Sequence, residues 1–308
     1  MEEQETRIKG VTSLKKVLNE KIAMTLSMVI FGTIGMFVRS VPLPSGEIAL
    51  YRSVLALLFM GAVLVLTKRK IVLSEIKKEL PLLFVSGIAM GFNWILLFEA
   101  YKFTTVSNAT LSYYFAPVIV MLLCPVLFKE KMGIGKWLCF IMSTVGLVLI
   151  TVTGGVATGS NHFKGILLGL SAAVLYASVI LLNKYIKGVS GLEKTFLQFI
   201  SAAFVLLFYV LFTDGVNILS LGKVGWLCLL AVGFIHTGIA YLLYFGSISK
   251  LDGQTTAVLS YIDPLVAVLI SVTVLKETMS FMQIIGGLLI LGFTLINEYI
   301  DNKKHLKS

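Results

Sequence analysis

Apolar and polar positions fall along this chain in long blocks rather than in short periods. Runs with few or no charges occupy residues 22–38, 53–67, 80–98, 103–128, 137–159, 165–183, 195–213, 224–249, 253–275 and 278–297. Most approach the ~20 residues that cross a ~30 Å hydrocarbon core at ~1.5 Å per residue. The second run is shorter. It reaches that length by starting near Glu47, which places Arg52 inside it. The polar joints leave no room for a soluble domain. Lipid offers no partner to an unpaired backbone group, so each run is predicted to be helical. The fold class expected is an all-α membrane protein with ten transmembrane helices.

The pattern also repeats. Shifted by 147 positions, residues 91–132 fall on 238–279 without a gap, and nine of the 42 pairs are identical. Pairs such as Leu96/Leu243 carry little weight in apolar segments. Pro117/Pro264, Tyr114/Tyr261, Lys129/Lys276 and Glu130/Glu277 carry more, because mid-segment prolines and terminal charge pairs at one offset rarely coincide. Each copy holds five runs, an odd number, so the second is expected to insert upside down. Two inverted five-helix repeats are a common plan of secondary transporters. The division expected is an N-terminal cytoplasmic segment 1–21, repeats 22–159 and 160–297, and a cytoplasmic tail 298–308.

Composition agrees with a membrane solvent: 57% hydrophobic residues, 14% charged, mean hydropathy +0.93. Charge sets the orientation. With the N-terminus inside, twenty Lys and Arg fall in cytoplasmic segments and five outside (Arg39, Lys102, Lys164, Lys223 and Lys276), with Arg52 within a span. Both termini are therefore expected in the cytoplasm, the protein lying in a bacterial inner membrane. The net charge of +10 is spread over six segments, which argues against nucleic acid as a partner. Glu2, Glu3 and Glu5 stand where a cleaved signal would be basic, so none is expected. Cys124, Cys139 and Cys228 lie in apolar runs and are read as packing residues.

Several short strings now resemble one family. They are Phe31-Gly32-Thr33 with Arg39, and its echo Tyr176-Ala177-Ser178 with Lys184; Tyr51-Arg52; and Ala100-Tyr101-Lys102 followed by Asn108-Ala109, Pro117, Lys129-Glu130 and Gly146. Asp263-Pro264, Lys276-Glu277 and Gly286-Gly287 complete the set. Together with the duplication, this is similar to the EamA-type, ten-helix members of the drug/metabolite transporter superfamily, over about residues 22–297. Two positions break the repeat: Asp263 answers to Ala116, and His236 to Ala89. The resemblance implies export of small metabolites or toxic compounds and names no substrate.

Depth along the runs selects candidates. Pro117 and Pro264 lie about 18 and 15 Å in, from opposite faces. Either they kink moving helices and gate, or they shape static packing. The aromatic pairs Tyr114/Tyr261, Trp94/Tyr241 and Phe31/Tyr176 would line a central cavity and offer flat faces to organic substrates; packing or interfacial anchoring is the alternative. Ionisable groups inside a bilayer normally face a cavity or a partner. Asp263, about 14 Å deep, can take up a proton, ligate a cation or hold a substrate amine, or it stays protonated and bonds locally beside the Pro264 kink. His236, about 18 Å deep, can titrate or simply bond a neighbouring helix. Arg52, about 9 Å below the outer surface, can snorkel, contact substrate, or pair with Glu99. Gly87-x-x-x-Gly91 and Gly165-x-x-x-Gly169 allow close helix approach. Lys129-Glu130 and Lys276-Glu277 read as interfacial anchors or gate-rim pairs.

Rival classes find less support. His162, His236 and His305 are too scattered for a zinc-protease motif, and no nucleotide-binding loop occurs, so no cofactor, metal or catalytic residue is expected. Gly188-Val189-Ser190-Gly191 matches a short serine-hydrolase-like string but falls in a joint beside Lys187. An intramembrane enzyme and a lipid scramblase or membrane assembly factor are the alternatives. The reading is a secondary carrier of small molecules that alternates access to a midplane cavity between two inverted five-helix halves. Proton or cation coupling is expected, membrane lipids surround it, and runs 137–159 and 278–297 support the bundle or form a homodimer.

Overall fold

The computed structural model describes residues 2–68, 71, 76–128, 133–158, 161–186, 188–213, 215–248, 251 and 259–305. Among these, every regular element is helical: α1 Glu2–Arg39, α2 Ser45–Leu66, α3 Leu80–Phe103, α4 Val106–Tyr113, α5 Ala116–Phe128 and α6 Ile134–Thr158. After them come α7 His162–Tyr185, α8 Gly191–Phe212, a 3-10 turn Ile218–Ser220 and α9 Lys223–Leu230. A π-helical stretch Ala231–Ile239, α10 Ala240–Ile248, α11 Ile262–Thr273 and α12 Phe281–His305 complete the fold. Seven helical segments are long and apolar enough to cross a membrane, and three more, Trp137–Ile150, Ile262–Thr273 and Phe281–Asn297, are apolar but shorter. Leu58, Val65, Phe163, Phe204, Leu227 and Leu288 are more than half exposed, a surface suited to acyl chains and not to water.

Three of the apolar runs are extended or divided in the helices that form. α1 runs unbroken from Glu2 into its apolar part, Asn19–Arg39, so most of the expected 1–21 segment is helical. α12 likewise continues past 297 to His305. Run 103–128 is two helices. Thr105 caps α4 by accepting a hydrogen bond from the Asn108 amide (3.2 Å), and the chain turns at Tyr114 and Phe115 before α5 starts. α11 begins after Tyr261, at the equivalent place in the second copy. Pro117 and Pro264 therefore stand in the first turns of half-helices, where a missing N–H costs little, rather than in the middle of continuous ones. Lys129-Glu130, Met132, the 159–160 joint and 252–258 lie outside the described residues.

Helices from before residue 160 pack largely against those that follow it. α3 lies on α7 and α8, α2 on α8 and the π-helical stretch, and α1 on α10 and α11. Gly87 lets α3 meet α8 closely: a Cβ there would strike the Gln198 carbonyl and Ser201. α6 and α12 form a separate pair. Gly146 and Gly286 face each other so closely that a Cβ on either would lie 2.5 Å from the other's carbonyl oxygen. Ser190 of the serine-hydrolase-like string is a helix cap. Its side chain accepts from the Glu193 amide, and Glu193 accepts from the Ser190 amide in return.

Candidate functional site

Between the two sets of helices lies a cavity of about 450 Å³. It is lined from α1 (Met28, Phe31), α2 (Arg52), α3 (Trp94), α4 and α5 (Tyr113, Pro117), α7 (Tyr176), α8 (Gln198), α10 (Tyr241, Tyr244) and α11 (Asp263). Among the described residues, none of the lining comes from α6 or α12, which pack on each other instead. The walls are aromatic because the rings hold one another. Phe31 meets Tyr241 edge-on at 5.1 Å, Tyr113 stacks on Tyr176 at 5.2 Å, and Tyr241 leans on Phe245 at 5.9 Å.

Asp263 is at the start of α11, beside the break after Tyr261. The Tyr114 hydroxyl donates to its Oδ2 at 2.5 Å. That bond joins the two equivalent breaks across 149 residues of sequence. Trp94, Tyr176, Tyr241 and Tyr261 also line the cavity. Pro117 lines it; Pro264 is buried in α11 and does not.

His236 does not line the cavity as expected. Its Nδ1 meets the Ala231 carbonyl (3.0 Å), its Nε2 meets Thr33 Oγ1 (2.9 Å), and its ring rests on Phe37 (4.7 Å). Both nitrogens are consumed by helix packing. Arg52 neither snorkels nor pairs with Glu99. It is 5% exposed, its Nε donates to Thr237 Oγ1 (2.8 Å), and its guanidinium lies 4.4 Å from the centre of the Trp94 ring. Glu99 is engaged by Ser45 (2.6 Å) and Lys102 (3.0 Å).

The two ends of the cavity differ. One end reaches Asn183 near the C-terminus of α7, Thr195 and Gln198 in the first turns of α8, and Phe245 in α10. Gln198 Nε2 bridges Asn183 Oδ1 and Ser86 Oγ, each at 2.7 Å, giving this end a polar rim. The other end lies where α1 and α3 finish; Thr104 there bonds His162 at the start of α7 (2.7 Å), so it is opposite the α7 C-terminus. Here Glu277, just beyond α11, is an acceptor for Arg39 of α1, for Ser271, and for the Val106 amide that opens α4 (2.9 Å). Arg39 Nε also donates to the Tyr101 carbonyl (2.9 Å). One carboxylate thus ties three helices across this end.

Sequence reasoning missed Tyr113, Tyr244 and the polar rim. Tyr113 was legible as the neighbour of Tyr114. Asn183 and Gln198 carried no repeat signal.

The model of the EamA-like transporter family matches residues 20–152 and again 163–298. An uncharacterized transporter YxxF of Bacillus subtilis is 31% identical over 90% of each chain. An uncharacterized transporter of Archaeoglobus fulgidus is 29% identical over 89% of this chain and 94% of its own, and the protein RarD of Salmonella typhi is 26% identical over 76% and 78%. A solved crystal structure matches in fold with a TM-score of 0.62 at 18% identity, over 94% of this chain and 99% of that one.

Proposed function

This chain belongs to the EamA-like transporter family and is an integral membrane transporter, and we propose that it exports small organic molecules across a bacterial inner membrane by opening its aromatic cavity to each side in turn. The observation that carries this reading is the Tyr114–Asp263 bond at 2.5 Å. It places a carboxylate in a cavity walled from both copies, at the breaks of two equivalent helices. Discontinuous helices at midplane are where carriers of inverted-repeat design hold substrate and coupling ion. The two family matches support a ten-span chain built of inverted repeats 22–159 and 160–297. The polar rim at Asn183 and Gln198 is the loading end, cytoplasmic on the Lys/Arg asymmetry, and the Glu277 cluster closes the outer end. Asp263 gains and loses a proton as the cavity turns from one side to the other, which couples export to the proton gradient.

Vesicles reconstituted with the protein test the carrier reading. A strain overproducing the chain and one lacking it are screened for altered tolerance to organic acids, amines and antimicrobials, and the radiolabelled hit is followed by counterflow. Loss of counterflow in every case removes the carrier reading in favour of a scramblase or enzyme.

Two further outcomes follow. In a background without native cysteines, Asn161→Cys should react with an impermeant maleimide from outside and Lys68→Cys should not; the reverse pattern inverts the topology. Pro117→Ala and Pro264→Ala should express normally and transport more slowly, because alanine lets each half-helix extend back through its break. Wild-type rates in both would leave the breaks without a mechanistic role.

A further inference from the structure

We propose that Arg52 is the substrate-reading group of the cavity and that its free edge takes a carboxylate, so that the transported molecule is an organic acid with a flat apolar body. The inference rests on the carrier reading of the cavity and adds the chemistry of what it carries. Arg52 is nearly fully buried, yet among the described residues its side chain meets no carboxylate. The acidic groups of α2 and α3 are engaged elsewhere, and Asp263 of the same cavity accepts from Tyr114. Glu47 accepts from Asn217 through its amide (2.9 Å) and Nδ2 (2.7 Å) and from Tyr51, and Glu99 holds Ser45 and Lys102. A buried guanidinium without a counter-charge is costly in a membrane protein, and an anionic ligand relieves that cost.

The way Arg52 is held leaves one edge for a ligand. Nε is fixed by Thr237 Oγ1. Thr237 in turn donates to the Val232 carbonyl five residues back (2.7 Å), within the π-helical stretch. Such stretches often mark functional positions in helices. The guanidinium carbon lies 4.4 Å from the centre of the Trp94 ring and 5.5 Å from that of Phe98. No hydrogen bond from Nη1 or Nη2 to the described residues occurs, and the residue lines the cavity. Two parallel N–H donors in one plane match the two oxygens of a carboxylate, a fit that a lysine cannot reproduce. Trp94, Tyr113, Tyr176 and Tyr241, in the same cavity, supply flat apolar faces for the rest of the molecule.

The test uses three probes with one phenethyl body: 3-phenylpropanoate, phenylalanine and 2-phenylethylamine. Binding is measured by calorimetry on the full chain in nanodiscs. The wild type should bind both carboxylates, and the amine at least about tenfold more weakly. Arg52→Gln should weaken both carboxylates by roughly tenfold or more and leave the amine unchanged. Arg52→Lys should recover only part of the loss, since it restores charge without the paired donors. An amine bound as tightly as the acids in the wild type overturns the proposal. So does a failure of both acids to bind, and so does an acid affinity that Arg52→Gln does not alter. The wild-type series needs no variant to fold. Vesicle flux separates the two readings: acid-selective binding without flux removes the carrier reading and keeps the role of Arg52, whereas flux of amines untouched by Arg52→Gln does the opposite.

Discussion

Asp263→Asn abolishes transport driven by a pH gradient, to the background of empty vesicles, while exchange of labelled for unlabelled substrate continues. Asparagine keeps the shape of the side chain and still accepts the Tyr114 hydroxyl, which now lies 2.5 Å from Asp263 Oδ2. What it loses is the exchange between an acceptor-only carboxylate and a protonated acid. Exchange needs the cavity to load and reorient but needs no net proton movement; gradient-driven transport needs both. A merely structural Asp263, bonded to Tyr114 and nothing more, predicts that the variant behaves as wild type in both assays. Uptake by Asp263→Asn that still follows the pH gradient would falsify the proton role. His236 is a poor substitute for it, because Thr33 and the Ala231 carbonyl already occupy both ring nitrogens.

Asp263 was legible in the sequence for a plain reason: a carboxylate in an apolar run is costly, and its repeat partner Ala116 is neutral. The helical class and most spans were legible in the same way, since run length against membrane thickness leaves few choices. The break at Tyr114 and Phe115 was not, because periodicity cannot tell a kinked helix from two half-helices when both are apolar. Depth along a run also says nothing of rotation about the helix. His236 and Arg52 were placed at the right depth to reach a cavity, but only the packed structure turns His236 toward Thr33 and Arg52 toward Trp94. The pairing of Arg39 with Glu277 joins residues 238 apart in sequence and left no local trace.

Glu277→Ala should unlock the Arg39 end of the cavity. This carboxylate accepts from Arg39, Ser271 and the Val106 amide, and Ser271 further reaches Ser107 (3.1 Å). Its removal strands the first N–H of α4, while Ser271 keeps Ser107 and the partly exposed Arg39 turns to water. Losing these bonds costs on the order of 1–3 kcal/mol in the closed form only, which moves the closed-to-open ratio by about 5- to 150-fold. Thr110 lines the cavity, so a cysteine there in a chain lacking the native ones reports the opening. An impermeant maleimide added from the Arg39 side should label Thr110→Cys slowly in the otherwise wild-type chain and much faster with Glu277→Ala. Glu277→Gln should fall between the two: one oxygen can still accept from Val106 or Ser271, but the charge that holds Arg39 is gone. Labelling that stays slow in both variants would mean that the cluster only caps α4 and that another contact keeps this end shut.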